Sequence, residues 1–367
     1  MKIDFHMPVK IISGIGCVKN NSKLFKLGSH ALIVTGRHSA EKSGALADVT
    51  DVLGENGIGY TVYNEISENP LLSACYRGGQ IARESRADFV IGIGGGSAMD
   101  AAKAVAAFAA NPGIGEYDLF GGELKPSLPL IEIPTTAGTG SEANWIAVLS
   151  LDGKDKKKSF KSLCSFARYA FVDPKYTYSL SYGYTVSTAL DAFCHCIESF
   201  LSPKSTEITR MMGVSGAADI WKVLCELSPD KEITTEQREL LINGSCLAGI
   251  AINGAGTGFP HPLGYNLTMF KGIPHGRACA VFTGEYVRYN MKTGEGKALL
   301  EAFAAGIGSS ADEIAARIPG MADVDLKLTD EEIGMFIDHV ADAGNYANSP
   351  YVINKDEMKD IYTRLFA

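Results

Sequence analysis

Three short apolar runs, residues 31–35 (ALIVT), 88–93 (DFVIGI) and 129–133 (PLIEI), each give way to Gly, Thr or Pro. Uninterrupted apolar runs of this length are what parallel strands buried on both faces require. Between them the period changes. Leu46, Val49, Val52 and Leu53 fall at helical spacing ahead of Gly54, and 98–110 is an alanine-rich stretch closed by Asn111-Pro112-Gly113, so both read as helices. Alternating strand and helix implies an open α/β sheet. After Val172-Asp173-Pro174 the strands fade, and 185–201, 206–226, 236–252, 297–306, 331–343 and 355–366 carry helical patterning. The chain is therefore expected to hold an α/β domain with a parallel, Rossmann-like sheet over 1–182 and an all-helical domain over 183–367.

Composition narrows the class without choosing a function. At 367 residues and 46% hydrophobic content the chain can bury a large core, and its size suits two domains. The net charge is −8 with a pI near 5.5. The one basic run, Lys154 to Lys161, reads as a solvated loop, so nucleic acid and anionic membrane are excluded as expected partners. Neither an apolar leader region nor an uninterrupted apolar stretch of about 18 residues occurs, which points to a cytoplasmic protein. The eight cysteines form no CxxC pair and are expected to be buried thiols rather than a disulfide frame.

Chemistry enters at the strand ends. Ile91-Gly92-Ile93-Gly94-Gly95-Gly96-Ser97 closes a strand and opens a helix, so bare backbone N–H groups and a helix N-terminus can meet an anion there, with Ser97 suited to the N-cap. This is neither GxGxxG with a downstream acid nor a Walker A motif. A second loop, Pro134-Thr135-Thr136-Ala137-Gly138-Thr139-Gly140-Ser141-Glu142, follows another buried strand and concentrates hydroxyls where open α/β sheets bind ligands. Together the two loops suggest one nucleotide. In the helical half, Asp191 and His195 lie four residues apart and share a helix face, while Cys194 and Cys196 turn away from it and read as packing. His261 and His275 each sit beside proline and glycine, where an irregular backbone can aim them inward. An Asp and three His make a plausible site for Fe²⁺ or Zn²⁺.

These stretches also resemble a known family. GGGSAMDAAKA (94–104), IPTTAGTGSEA (133–143), DPKYTYSLS (173–181), DAFCHCIES (191–199) and HPLGYNLTMFKGIPHG (261–276) are similar, in order and spacing, to the signatures of the iron-containing, group III alcohol dehydrogenases. The resemblance covers roughly 25–290 and includes Asn69-Pro70. It implies a dehydroquinate-synthase-like fold, in which a nucleotide-binding α/β domain and a helical domain bring a nicotinamide cofactor and a metal together. By motif position the metal ligands would be Asp191, His195, His261 and His275. Gly94, Gly95, Gly96 and Ser97 would hold the pyrophosphate. Asn69, Asp100, Thr135, Thr136, Thr139 and Ser141 would line the cofactor, and Lys157, flanked by Lys156 and Lys158, matches a lysine near the nicotinamide ribose. Relatives commonly form homodimers or larger homo-oligomers.

Two positions depart from the family pattern. Many members carry a further histidine four residues after the third ligand, discussed as a proton relay; here that residue is Tyr265, and a phenol, with an ordinary pKa of about 10, is a poor base at neutrality. After ALIVT, members that prefer NAD generally show Asp. This chain has Gly36-Arg37-His38-Ser39, whose backbone donors, cation and hydroxyl favour NADP(H) over NAD(H). The expected activity is hydride transfer between nicotinamide C4 and an alcohol or aldehyde, running toward the alcohol. The alternatives are a cyclase or lyase of the dehydroquinate-synthase type, which would need more basic residues, a metal-free reductase of the maleylacetate type, and a protein that only binds. Trp145, Phe259, Phe270 and Tyr265 are candidates for the substrate wall.

Overall fold

The computed structural model describes residues 5–367. Among the described residues eight strands form, β1 (Lys10–Ser13), β2 (His30–Gly36), β3 (Gly59–Ile66), β4 (Phe89–Gly94), β5 (Leu130–Pro134), β6 (Ile146–Ser150), β7 (Lys157–Lys161) and β8 (Tyr169–Val172). Six of them make one sheet in the order β1-β8-β5-β4-β2-β3, parallel throughout. Five helices belong to the same part of the chain: α1 (Cys17–Asn20), α2 (Ser39–Lys42), α3 (Ala45–Glu55), α4 (Leu72–Glu84) and α5 (Gly96–Ala110). Side-chain alternation sorts the core into two layers. Ala31 and Ile33 of β2 pack with Val49, Val52 and Leu53 of α3, whereas Leu32 and Val34 pack with Leu72, Cys75 and the alanines of α5. Both faces are thus covered, which is why β2, β4 and β5 are apolar at nearly every position.

The order of the strands creates the binding crevice. From β2 the chain goes outward to β3, then returns across β2 to β4 and continues the other way to β5. The direction reverses between β2 and β4, and at such a switch point the loops leaving adjacent carboxyl ends diverge and open a crevice for ligand. Those two ends are Gly36 and Gly94.

Two compact units divide the chain, His6–Ser181 with Glu232–Gly249, and Tyr182–Lys231 with Ile250–Ala367. The helices after the sheet are α6 (Tyr182–Leu201), α7 (Glu207–Glu226), α8 (Thr235–Ala255), α9 (Pro260–Lys271), α10 (His275–Ala280), α11 (Thr283–Asn290), α12 (Gly294–Gly306), α13 (Ala311–Ala322), α14 (Asp330–Val340) and α15 (Lys355–Phe366). Segment 232–249, expected with the helical half, groups with the sheet instead. Arg238 donates to the carbonyls of Thr177 and Leu180, and Gly249 packs so closely on Gly140 that a Cβ on it would stand 2.0 Å from the Gly140 oxygen. The helix then breaks at Asn253 and Gly254, whose dihedrals are non-helical. No single helix among the described residues is long and apolar enough to cross a membrane.

Three local expectations need correction. The lysine-rich run is not merely a loop, since Lys157–Lys161 is β7, antiparallel to β6, with Phe160 buried in the core and Lys158 and Lys161 exposed. Ser97 does not cap α5: Gly95 holds the N-cap position, and the Ser97 hydroxyl accepts the Asn69 N–H at 3.1 Å. His261 and His275 lie in the first turns of α9 and α10 rather than in irregular backbone, because Pro260 and Pro274 start those helices.

Candidate active site

In the helical unit, one carboxylate gathers three imidazoles. Asp191 and His195 are one turn apart on α6, with Oδ1 to Nε2 at 3.8 Å. The same Oδ1 lies 3.7 Å from Nε2 of His261 and 3.8 Å from Nε2 of His275. The His195 and His261 rings stack at 4.8 Å between centroids, and His275 meets His261 edge-on at 5.6 Å. Asp191, His195 and His261 are buried, whereas the His275 side chain keeps 30% of its surface exposed. Donors bonded tetrahedrally to a Zn²⁺-sized ion at 2.0–2.1 Å stand roughly 3.4 Å apart, so a small contraction of this set would enclose a cation.

Backbone packing sets this geometry. A Cβ on Gly276 would fall 1.7 Å from the Ser187 carbonyl oxygen and 3.0 Å from Cβ of Asp191, so only glycine lets α10 approach α6 and bring His275 over the carboxylate. A carboxylate behind the site fixes the ring of His261. Nδ1 lies 2.9 Å from both oxygens of Glu198, which also accepts the Gly258 N–H at 2.7 Å. With Nδ1–H assigned to Glu198, Nε2 presents its lone pair toward Asp191, the arrangement in which carboxylates orient metal-binding histidines. Burial pushes the Glu198 carboxyl up, opposed by His261 and the Gly258 N–H.

Sequence reasoning passed over two residues here. Glu198 follows Asp191 and His195 at i+7 on the same face of α6, a spacing that could have flagged it. Cys279 is the other: Asp191, His261, His275 and Cys279 present ligand atoms all within 4.8 Å of one another. Cys194 and Cys196 are buried as packing, Cys194 against the Thr283 hydroxyl at 3.6 Å, and burial pushes both thiols up. Cys164 is exposed, so the expectation of buried thiols fails there. Tyr265 lies flat along His275 at 5.6 Å and edge-on to His261 at 6.5 Å. Of the other wall candidates, Phe259 is core, packed edge-on against Tyr286, Phe270 stacks on Phe336, and Trp145, in the sheet unit, stacks on Phe166.

In the sheet unit the two glycine-bearing loops touch. The Thr135 N–H donates to the Gly94 carbonyl at 2.8 Å, a Cβ on Gly95 would stand 3.3 Å from the Thr136 side chain, and one on Gly96 would stand 2.5 Å from Thr139. Glycine is what lets the threonines close on the N-terminus of α5. Asn69 has φ 55°, tolerable for asparagine, and its side-chain oxygen accepts from Lys157 Nζ at 2.8 Å. Lys158 instead covers the Phe120 ring. Asp100 is occupied by protein, taking the Ser141 hydroxyl at 2.6 Å and the Val148 N–H at 2.8 Å. Lys103, wholly buried, donates to the Ser141 hydroxyl and carbonyl and to the Ile146 carbonyl. These groups brace the second loop from beneath. At the end of β2, Arg37, His38 and Ser39 are exposed, and Oγ of Ser39 is 3.7 Å from where a Gly36 Cβ would be and 3.5 Å from that of Gly94.

Comparison with known proteins agrees with both halves. A family model for the iron-containing alcohol dehydrogenases matches residues 8–174, and one for the C-terminal part of the Fe-containing alcohol dehydrogenase family matches 185–366. Alcohol dehydrogenase 4 of Schizosaccharomyces pombe is 28% identical over 98% of this chain and 88% of its own. Sulfoacetaldehyde reductase of Bilophila wadsworthia is 34% identical over 75% and 72%. The crystal structure of sulfoacetaldehyde reductase from Bifidobacterium kashiwanohense in complex with NAD⁺ superposes with a TM-score of 0.90 at 30% identity, covering 100% of this chain and 99% of that one. With an α/β unit, a helical unit and an Asp/His cluster in place, the chain belongs to the iron-containing alcohol dehydrogenase family and is an oxidoreductase of alcohols and aldehydes.

Proposed function

We propose that the chain is a metal-dependent, nicotinamide-linked alcohol dehydrogenase that works mainly as a reductase of short aldehydes and favours NADP(H). The observation that carries this reading is the single carboxylate oxygen of Asp191 within 3.8 Å of Nε2 on His195, His261 and His275. One oxygen and three imidazole nitrogens fit Fe²⁺ or Zn²⁺ and leave donor positions for substrate. A bound cation supplies Lewis acidity toward an alcohol or carbonyl oxygen, and the dinucleotide supplies or accepts the hydride. The chain's own part is orientation. Glu198 keeps the His261 tautomer, Gly276 seats His275, and Tyr265 stands beside His275 as the group able to hand a proton to the product oxygen.

For the dinucleotide, the glycines of 94–96, Ser97 and Thr135, Thr136 and Thr139 are assigned to the pyrophosphate. Lys157, held by Asn69, is assigned to the nicotinamide ribose, while Asp100 and Ser141 act by bracing the loop. The NADP(H) preference rests on Gly36-Arg37-His38-Ser39 at the switch point, where a guanidinium and a hydroxyl are available to a 2′-phosphate. The NAD⁺ bound to the Bifidobacterium reductase supports the competing choice. Initial rates of NADPH and NADH oxidation with short aldehydes decide between them. A kcat/KM advantage of about tenfold or more for NADPH, ~1.4 kcal/mol, agrees with the proposal, and Gly36→Asp should reverse it. An advantage for NADH in the unaltered protein overturns it.

A further inference from the structure

We infer that Cys279 is a thiolate ligand of the cation held by Asp191 and the histidines, making a mixed carboxylate, imidazole and thiolate site that retains Zn²⁺ in preference to Fe²⁺. The inference rests on the reading that this cluster binds a metal. It starts from α10, where His275 opens the helix and Cys279 follows one turn later on the same face. The Cys279 sulfur lies 3.8 Å from both Nδ1 and Nε2 of His275 and is buried. Its ligand atom shares the 4.8 Å neighbourhood of Asp191, His261 and His275. With Zn–S near 2.3 Å and Zn–N near 2.0–2.1 Å, a sulfur and a nitrogen on one ion stand roughly 3.1 Å apart at a right angle and roughly 3.6 Å apart at a tetrahedral angle, so the 3.8 Å found here closes with a small shift in a site of four or five donors. Neither of the thiols on α6 belongs to this group.

The chemistry follows from the donor. Thiolate is soft and polarisable and shifts a site of hard oxygen and borderline nitrogen toward Zn²⁺ and Co²⁺. It also adds a second anionic donor beside Asp191, so a divalent cation is fully neutralised by protein. A residue with that effect decides which metal the protein keeps.

The test uses the full chain, stripped by chelator under reducing conditions and titrated with Co²⁺. Visible d–d bands report that the cluster is occupied, and a near-ultraviolet thiolate-to-cobalt charge-transfer band reports sulfur in the set. Both are expected in the unaltered protein. In Cys279→Ser the d–d bands remain, the charge-transfer band is lost, and the preference for Zn²⁺ over Fe²⁺ falls about tenfold or more, the scale on which even outer partners of ligands act. In His261→Ala the charge-transfer band disappears, which separates this site from the remaining thiols. Occupancy bands without charge transfer in the unaltered protein overturn the inference, as does a charge-transfer band that survives in Cys279→Ser or His261→Ala. Absence of d–d bands altogether overturns the metal reading itself. Should Cys279→Ser fail to fold, the unaltered spectrum and His261→Ala still decide.

Discussion

Glu198 accepts from Nδ1 of His261 at 2.9 Å, so the orientation of the nitrogen proposed to face the cation depends on this carboxylate. Glu198→Gln weakens the anchoring charge without emptying the space, and cation affinity measured by chelator competition should fall roughly 10–100-fold. Unchanged affinity would mean that His261 is held by packing alone. Tyr265 yields a second prediction. If its phenol hands on the proton, Tyr265→Phe should lower kcat by roughly 10²-fold while leaving metal content intact; an unaffected kcat would reduce Tyr265 to a ring stacked on His275. A third concerns Glu132 on β5, wholly buried, neither of its oxygens hydrogen-bonded, with the Lys103 charge opposing and Asp100 and Glu142 adding to its protonation. Burial lifts its carboxyl well above the ordinary 4.5, and lifts Glu142 to about 7. The native chain therefore keeps a proton that the unfolded chain releases, so stability is whole below pH 4.5 and falls as pH rises through the interval up to the native value, by as much as about 1.4 kcal/mol per pH unit. Glu132→Gln should raise the melting temperature at pH 8 and leave it nearly unchanged at pH 4.5; equal effects at both would contradict this account. The structure brings together Asp191, His195, His261 and His275, which residue type and spacing singled out. Glu198 and Cys279 were not singled out, because an acid or thiol on a helix has many uses until its neighbour in space is known.

At the scale of elements, the position of His275 depends on how closely α10 meets α6, and Gly276 governs that distance. Gly276→Ala puts a carbon where the Ser187 oxygen stands, so the helices must part. The expected cost is about 1–3 kcal/mol of stability, with loss of retained metal, seen together by thermal melting and metal analysis. Gly183→Ala, where nothing lies within 4 Å of the new carbon, serves as the contrast. The elements that sequence pattern disclosed share one physical reason. β2, β4 and β5 are buried on both faces and read as apolar runs, and α5 and α6 are long and nearly wholly buried. β3 lies at the sheet edge and alternates imperfectly with most of its residues exposed, and β1 and β8 have four residues each. β7 hid in a run of lysines because only Phe160 turns inward. α9 and α10 hid because proline and glycine mark their starts and suggest loops.

At the scale of the whole molecule, the proposed chemistry is divided between two units, each with its own signature in the sequence. The sheet unit offers backbone donors and hydroxyls at a strand switch point, and the helical unit offers the donors for a cation. Segment 232–249 crosses that division in sequence, which no periodicity could reveal, since a helix reads the same whichever core receives it. A cation held as proposed by donors from α6, α9 and α10 would tie three helices together. Saturation at about 100 times Kd should stabilise the native state by roughly 2.7 kcal/mol, visible as a rise in melting temperature. The Asp191 cluster is proposed to hold a catalytic cation. The most direct test strips the protein with chelator, reloads it separately with Fe²⁺ and Zn²⁺, and measures metal bound per chain together with NADPH-dependent aldehyde reduction, for the unaltered chain and His261→Ala. Activity should return in proportion to bound metal and be lost in His261→Ala, whereas turnover by the stripped protein, or a His261→Ala variant that binds and works normally, would rule out a catalytic cation there.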